Sequence, residues 1–359
     1  MSAFADSLAR VGRPGVAAAG ATTAHLDRLT KPRGSLGRLE AVAVQLAGIA
    51  DESPPPVPEP AVVAVFAGDH GVLAEGVSPW PAEVTAQMVA NFCAGGAAIN
   101  VLARHAGADV VVVDVGVGAV LEAADGLVRA KVRAGTGNLV EEPAMTAEET
   151  TAALDVGAAV AADLVSKGAR CLITGDMGIG NTTPSAALIA AFTGQPAAAV
   201  TGRGTGIGDD EWAHKVRVVE RGLARTRAAG AVAGDDPLAV LASLGGLEIA
   251  ALAGFIVGGA AARLPVLVDG VIAVAAAVVA EAVAPGCVAF CFAGHRSSEP
   301  GASAGLGHLG LLPLLDLDLR LGEGTGACLA LPVLQAGARI VREMATFDSA
   351  GVSDKAPGE

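Results

Sequence analysis

One carboxylate stands in a glycine-rich segment that could carry acid–base chemistry. Residues 320–327 read Arg-Leu-Gly-Glu-Gly-Thr-Gly-Ala, with Glu323 between Gly322 and Gly324. The long apolar stretch that follows indicates that Glu323 lies where a helix begins. A glutamate there can stabilise the helix dipole. Flanking glycines also leave its carboxylate room to face a ligand and to accept a proton as a general base. These residues alone leave both roles open.

A second glycine-rich segment has the composition of an anion site. Residues 175–183 read Gly-Asp-Met-Gly-Ile-Gly-Asn-Thr-Thr, after a strand-like run and before a helix-like one. Gly178 and Gly180 would let the backbone approach an anion closely, and the N–H groups of a helix N-terminus favour negative charge. Asn181 and the two threonines add polar side chains. The segment is not a Walker A loop, because no Gly-Lys-Ser/Thr follows, and a purely structural turn remains an alternative.

Two basic residues accompany a third glycine-rich segment, residues 201–206, which reads Thr-Gly-Arg-Gly-Thr-Gly. Arg203 lies within it, and Lys215 follows it along the chain. Two cations beside the backbone N–H of Gly202 could neutralise a phosphate dianion. The alternative is a flexible surface loop with a solvated arginine.

An Asp-His pair marks a fourth segment, residues 66–72, which reads Phe-Ala-Gly-Asp-His-Gly-Val. Such a pair can do acid–base work or bind a metal. Adjacent residues on a strand point to opposite faces, which favours a structural or site-shaping role for Asp69 and His70. Ser78 follows shortly afterwards, and Gln87 lies on the next helix-like stretch, where it could line the same pocket.

Cys287, Cys291 and His295 share a spacing of four that could suggest a metal site. The surrounding residues, Cys-Val-Ala-Phe-Cys-Phe-Ala-Gly, have the pattern of a buried strand. We therefore interpret the cysteines as small buried hydrophobic residues. The chain has five cysteines, an odd and scattered set that is typical of a reducing compartment.

Apolar runs of strand length alternate with helix-like stretches through the middle of the chain. The run 110–115 is almost wholly β-branched, as in a strand buried on both faces. The alternation predicts an α/β fold with a mainly parallel, Rossmann-like sheet and helices on both faces. Ligands of such sheets bind beyond the carboxyl ends of the strands, so we expect the glycine-rich segments to meet there. The predicted strands are 61–66, 110–115, 170–174, 265–268 and 288–293, and the predicted helices are 83–105, 147–167, 247–262 and 271–283.

The two ends of the chain have a different pattern. Residues 1–50 show no clear strand and are helix-like around 36–49, and residues 325–346 form a long apolar helix-like stretch. The proline-rich stretch 51–60 is typical of a linker. We therefore predict a small helical domain from residues 1–60 and 325–359, and a large α/β substrate-binding domain from residues 61–324.

The composition limits the classes of partner and compartment. The 359 residues are 52% hydrophobic and 17% charged, so a folded core is expected. The formal net charge of −13 disfavours a nucleic-acid partner. The apolar runs of the C-terminal half stay below the roughly 18–20 residues of a spanning helix. The N-terminus lacks the basic start and apolar stretch of a signal peptide, so we expect a cytoplasmic protein without a membrane partner.

These segments, taken in order, resemble the nicotinate-nucleotide:dimethylbenzimidazole phosphoribosyltransferases of cobalamin biosynthesis. The resemblance runs from about residue 20 to about residue 346. It implies transfer of the phosphoribosyl group of nicotinate mononucleotide to 5,6-dimethylbenzimidazole by a homodimer that needs no metal and no cofactor. The matching segments are 29–40, 66–72, 77–100, 175–183, 201–206, 269–270 and 320–327.

The resemblance also implies roles for individual residues. Glu323 matches the family's catalytic base, and Ser78 and Gln87 match its benzimidazole pocket. The residues that match its phosphoribosyl cradle are Gly178, Gly180, Asn181, Gly202, Arg203 and Lys215. Asp269 and Ser297 lie near the positions where the family contacts nucleotide, and Asp176 and Gly322 complete the substrate-binding set.

One residue departs from the family pattern, because members often have Glu where this chain has Asp176. The shorter side chain retracts the carboxylate by one methylene, which suggests tolerance for a different attacking base, such as a purine or another benzimidazole. The residues also leave two other functions open. One is a magnesium-dependent nucleotide phosphohydrolase or kinase that uses Asp69 and His70, and the other is a non-catalytic carrier of nucleotides or bases.

Overall fold

A computed structural model of the chain describes residues 2–232 and 234–353. The strands are β1 (Ala61–Gly68), β2 (Ala108–Gly116), β3 (Leu127–Arg129), β4 (Cys171–Met177), β5 (Val266–Val268), β6 (Cys291–Ala293), β7 (His295–Arg296) and β8 (Leu315–Asp316). The helices are α1 (Ala3–Arg10), α2 (Val16–Leu26), α3 (Arg38–Ala50), α4 (Glu83–Cys93), α5 (Ala98–Ala106), α6 (Ala147–Ser166), α7 (Thr182–Thr193), α8 (Ala197–Val200), α9 (Asp209–Ala228), α10 (Pro237–Leu244), α11 (Leu247–Ala261), α12 (Val271–Val283), α13 (Pro300–Leu309), α14 (Thr325–Glu343) and α15 (Phe347–Ala350).

Six strands form one sheet in the order β3-β2-β1-β4-β5-β6, and every pair in it is parallel. Each residue of β1 is buried, as expected for a strand covered on both faces. The predicted parallel α/β sheet is therefore confirmed. The strand order reverses between β1 and β4, and in open sheets ligands bind in the crevice that such a reversal leaves at the carboxyl ends of the strands.

Helices cover both faces of this sheet. Neighbouring side chains of β1 point to opposite faces, so β1 contributes to both cores. The Phe66 ring packs edge-on against Phe255 of α11, with ring centroids 5.3 Å apart. Val63 and Val65 point to the other face. There they lie against the backbone of Gly324 at the start of α14 and of Gly175 in β4.

The predicted single helix over residues 83–105 is wrong. α4 ends at Cys93, and α5 begins at Ala98. Gly95, between them, has a φ of 76°, a left-handed conformation that interrupts a helix. The stretch Glu83–Ala106 is long and apolar enough to cross a membrane by length and composition alone, but it is two helices rather than one.

The two ends of the chain meet at a small second core. Leu26 and Leu29 pack with Ala43 of α3 and Val341 of α14, and Leu29 bridges to Thr346. α1 packs instead beside α6, where the backbone N–H of Phe4 donates to Asp155 Oδ1 at 2.8 Å. The division into two domains stays a prediction, and its last residues, 354–359, lie outside the described part of the chain.

Candidate active site

A cavity of about 500 Å³ lies at the carboxyl ends of β1, β4 and β5, a size suited to a small molecule. Its walls come from three of the four glycine-rich segments, 175–183, 201–206 and 320–327, together with the start of α4 and the buried face of α9. Among the predicted site residues, those that line it are Ser78, Asp176, Gly178, Gly180, Asn181, Arg203, Lys215, Ser297, Gly322 and Glu323.

The Glu323 carboxylate is buried in the wall of this cavity. Glu323 is 6% exposed, and its Oε2 accepts a hydrogen bond from the backbone N–H of Ile99 at 3.4 Å. Burial raises the pKa of the Glu323 carboxyl above its ordinary value, the Ile99 N–H opposes this shift, and the negative charge of Asp269 adds to it. A raised pKa makes this carboxylate a stronger proton acceptor, which suits a general base.

Two glycines allow the Glu323 loop to lie directly on β4. A Cβ at Gly175 would come within 2.7 Å of the Glu323 carbonyl oxygen, so only glycine fits there. Gly322, at a φ of 81°, faces Asp176, and a Cβ on it would lie 3.2 Å from both carboxylate oxygens. Glu323 has a φ of 63°, which non-glycine residues rarely adopt. The loop therefore depends on its neighbours to hold the catalytic candidate in place.

Asp176 forms part of the cavity floor. Its Oδ2 accepts a hydrogen bond from the Asn181 side-chain amide at 2.9 Å, and its buried Oδ1 has no partner among residues 2–232 and 234–353. Burial raises the pKa of Asp176 well above its ordinary value, and the charge of Asp269 adds most to this, followed by those of Glu248 and Glu323. The Asn181 amide opposes the shift. Asp176 thus holds a proton more readily than an exposed aspartate does.

The basic end of the cavity is built on Lys215, which points inward from α9. Lys215 is 2% exposed, and its Nζ donates to the hydroxyl of Thr182, at the start of α7, at 2.7 Å. Burial lowers the pKa of Lys215 to about 8, against an opposing effect of Glu299. The predicted anion segment, with Gly178 and Gly180, leads directly into the same helix. A lysine beside a helix N-terminus is a site for a phosphate group.

The comparisons with known proteins agree with this geometry. A family model described as a phosphoribosyltransferase matches residues 11–352. The chain belongs to this phosphoribosyltransferase family. The nicotinate-nucleotide–dimethylbenzimidazole phosphoribosyltransferase of Salinispora tropica is 56% identical over 350 residues, which cover 93% of this chain and 95% of that relative. The enzyme of the same name from Chloroflexus aurantiacus is 53% identical over 338 residues, 94% of this chain and 95% of its own.

Solved structures show the same fold. The crystal structure of the nicotinate-nucleotide-dimethylbenzimidazole phosphoribosyltransferase of Thermus thermophilus superposes with a TM-score of 0.89 at 48% identity, and it covers 95% of this chain and 100% of its own. A crystal structure of CobT from the same organism gives a TM-score of 0.90 at 50% identity, with 94% of this chain and 100% of that one covered.

Three residues of this chain that were expected to bind substrate do not line the cavity. Gln87 lies on the exposed side of α4. Gly202 faces a neighbouring pocket, where a Cβ on it would lie 1.9 Å from Glu299 Oε2. Asp269 is 1% exposed and lies behind the wall, bonded to the backbone of the Glu323 loop. Their predicted contacts with substrate remain predictions without support from this geometry.

Arg203 and Ser297 line the cavity, but each is engaged with protein groups. One Arg203 nitrogen donates to the Ile207 carbonyl at 3.0 Å, and another pairs with Asp209. The Ser297 hydroxyl accepts from the backbone N–H of Glu299 at 3.3 Å. Arg203 is half-exposed, with 50% of its side chain accessible, so its charge is less available to a phosphate than that of Lys215.

Glu299 is a cavity residue that the sequence analysis did not identify. It is 5% exposed, and its Oε1 accepts from the backbone N–H of Gly204 at 2.8 Å. It thereby ties the 201–206 loop to the start of α13. Pro300, the first residue of α13, marks a helix start in the sequence. That signal locates Glu299 at a helix end, but it does not reveal the loop that Glu299 holds.

His70 lies beneath the anion segment rather than in the cavity. Its Nε2 is 2.7 Å from Glu248 Oε1, and both side chains are almost completely buried. A Cβ on Gly178 would lie 3.1 Å from the same nitrogen. Asp69 turns away and accepts from the backbone N–H of Gly118 at 2.7 Å. The two side chains therefore make separate contacts with protein groups, which is consistent with the predicted structural or site-shaping role.

Proposed function

We propose that this chain transfers the phosphoribosyl group of nicotinate mononucleotide to 5,6-dimethylbenzimidazole, giving α-ribazole 5′-phosphate and nicotinate in the lower-ligand branch of cobalamin biosynthesis. The single observation that carries the proposal is the buried Glu323 carboxylate, which lines one cavity together with Lys215 and the N-terminus of α7. The names of the relatives support the same pair of substrates.

The reaction needs one base and a site for one anion. A benzimidazole nitrogen attacks C1′ of the nucleotide and forms a new C–N bond with inversion. The bond from C1′ to the pyridinium nitrogen breaks, and its electron pair stays on the ring nitrogen, so that nicotinate leaves with an uncharged ring. The N–H proton on the other nitrogen of the attacking ring passes to Glu323. The carboxylate also stabilises positive charge that develops on the attacking ring and the ribosyl carbon.

The other end of the cavity suits the 5′-phosphate. The N–H groups at the start of α7, after Gly178 and Gly180, offer hydrogen bonds and a favourable dipole. Lys215 adds a positive charge in a buried setting, where electrostatic attraction is stronger than in water. Phosphate held there would fix the distance from C1′ to Glu323, so the two ends act together.

The wall beside Ser78 is apolar and suits a flat aromatic base. Val77, Trp80, Val84, Met88 and Met177 contribute to this part of the cavity. Such a wall binds an aromatic ring mainly by burial, so it discriminates weakly between similar bases. Transfer to another benzimidazole or to a purine is therefore the alternative within the proposed reaction. As part of the proposal the enzyme is a cytoplasmic homodimer that binds neither nucleic acid nor membrane.

Product analysis tests the reaction directly. Purified protein with nicotinate mononucleotide and dimethylbenzimidazole should release nicotinate with and without EDTA, and chromatography measures the release. A protein that binds both compounds without releasing nicotinate would be a carrier, and an EDTA-sensitive release of phosphate would indicate the phosphohydrolase or kinase alternative. Offering several benzimidazoles and adenine together, with mass identification of the α-nucleotides formed, then establishes the preferred base.

A further inference from the structure

Asp269 binds the loop that carries Glu323, residues 320–327, although it does not line the cavity. It follows β5 and is 1% exposed. Its Oδ2 accepts a hydrogen bond from the backbone N–H of Gly324 at 3.1 Å, and its Oδ1 accepts one from Ala327 at 2.8 Å. The Ala327 N–H lies in the first turn of α14, and the Gly324 N–H is on the residue just before it. Donors at this end of a helix have no partner within the helix.

These bonds replace a cap that α14 lacks. Its N-cap residue is Gly324, which has no side chain to bond the first turn. Glu323 precedes that residue in a left-handed conformation, which persists in a non-glycine residue only when its surroundings hold it. The Asp269 carboxylate, brought in from the neighbouring strand, is therefore well placed to fix the backbone on which Glu323 stands.

Asp269 is itself anchored to the sheet. Its backbone N–H donates to the Thr174 hydroxyl at 3.0 Å, and that hydroxyl donates to the Leu267 carbonyl at 3.2 Å. His295 Nε2 lies 3.4 Å from Asp269 Oδ1. The Thr174 hydroxyl thus ties the Asp269 backbone to β4 and β5, which makes the residue a fixed support rather than a mobile ligand.

We propose that Asp269 is a positioning residue for the transfer reaction: it holds Glu323 against the substrate by binding the first turn of α14, and it does not itself contact the nucleotide. This inference rests on the proposed function, because Glu323 is the group that it positions. It replaces the substrate-contact role that the resemblance suggested for Asp269.

The charge of Asp269 gives the proposal a second, independent readout. It raises the pKa of the Glu323 carboxyl. The other charged or titratable groups around Glu323 and Asp269 are Asp176 from β4, Glu248 from α11, His295 from β7, Cys328 from α14, and Lys215 and Arg320 in the cavity wall. An Asp269→Asn change leaves these groups in place and removes one negative charge. The pKa of Glu323 should then fall, and the acid limb of the rate profile should move to lower pH.

The test compares Asp269→Asn with the unaltered enzyme in the nicotinate-release assay across pH. The asparagine keeps one acceptor oxygen but turns an N–H toward the helix, so Glu323 loses its alignment. We expect kcat to fall by about 10–100-fold, since small misplacements of a reacting group cost that much. KM for the nucleotide should change by less than about 3-fold, because no binding contact is lost. The acid limb should shift to lower pH. Asp316→Asn, an exposed carboxylate-to-amide change on β8, serves as the matched control.

Several outcomes would overturn the inference. One is a raised KM with kcat retained, which would make Asp269 a nucleotide ligand. Another is a lower kcat with an unmoved acid limb, which would indicate general structural damage.

If the unaltered enzyme itself releases no nicotinate, the proposed function fails. In that case hydrogen exchange still decides the positioning claim, because the amides of Gly324 and Ala327 should exchange faster in Asp269→Asn. If Asp269→Asn does not fold, Thr174→Val replaces it, because this change removes only the hydroxyl that anchors the Asp269 backbone. The Gly324 and Ala327 amides should then exchange somewhat faster than in the unaltered enzyme. Unchanged exchange in Thr174→Val would contradict the positioning role.

Discussion

The acidic and basic parts of the cavity wall carry opposite charges and stand on different kinds of backbone. In the acidic part, the Glu323 and Asp176 carboxylates both line the cavity, and burial raises the pKa of each. In the basic part, burial lowers the pKa of Lys215 to about 8. In both places, removal from water favours the uncharged form. The acidic end thereby gains affinity for protons, whereas the basic end keeps a charge that is sensitive to moderately alkaline pH.

The supports differ as well. Glu323 stands on backbone that Asp269 binds from the sheet. Lys215 stands within a regular helix, and the loop beside it is held by the Glu299 side chain. Glu323 thus stands on a left-handed loop that a distant carboxylate holds, as suits proton transfer that needs close alignment. Lys215 stands on a regular helix, as suits the binding of a charged group. Mutations at the two ends should therefore separate kcat from KM.

Glu323→Gln should have the largest effect. Glutamine fills the same volume but cannot accept the proton, so kcat should fall by about 10²–10⁴-fold, the usual contribution of a general base. Binding of nicotinate mononucleotide, measured by calorimetry, should stay close to that of the unaltered enzyme. Full turnover by this variant would show that Glu323 is not the base.

Lys215→Ala should act mainly on nucleotide binding. Loss of a charge-assisted contact should raise KM for nicotinate mononucleotide by about 10–100-fold, while kcat changes less. In the unaltered enzyme, KM should also rise as the pH passes through about 8, since the lysine then loses its proton and its charge. Lys167→Ala, at an exposed lysine, is the matched control. A pH-independent KM would argue against a role for Lys215 in phosphate binding.

Much of the fold and of the cavity could be predicted from local patterns. The strand predicted over residues 61–66 and the helix predicted over residues 147–167 follow from the pattern of neighbouring residues, and both are present as β1 and α6. The glycine-rich segments could be placed at the strand ends, because parallel strands direct their carboxyl ends to the same edge. Where the local signal was mixed, as at Gly95, the prediction of a single helix was wrong.

The supporting residues could not be predicted in the same way. Asp269 and Gly324 are far apart in the chain, and no spacing indicates that one caps the helix of the other. The burial of Lys215 depends on α9, a helix that the apolar pattern did not reveal. Residue types at a site can be recognised from short motifs, but the contacts that hold them arise only when distant elements pack.

Glu299→Gln sharpens the comparison with a smaller effect. The amide oxygen can still accept from Gly204, so the loop should stay in place, but one negative charge near Lys215 is lost. That charge raises the pKa of Lys215, so its removal should lower the pKa further. The alkaline rise in KM should then begin at lower pH, with KM about 3–10-fold higher at pH 8 because the charge-assisted contact with phosphate is weaker. A rise at unchanged pH would show that Glu299 acts on the loop alone, and the exposed Glu343→Gln provides the control.

Asp176→Glu should have the smallest effect, and it addresses the choice of base rather than the rate. The added methylene would push the carboxylate toward Gly322. A Cβ on Gly322 would already lie 3.2 Å from both Asp176 carboxylate oxygens, so little space is left there. One methylene that contacts a ligand changes discrimination by about 10-fold or more. Asp176 forms the floor of the cavity and is tied to Asn181, so about a 3-fold change in the ratio of products is expected, consistent with a weaker, indirect contact. The base-competition assay with mass detection measures that ratio. An identical product ratio would show that the aspartate at this position does not influence which base the enzyme accepts.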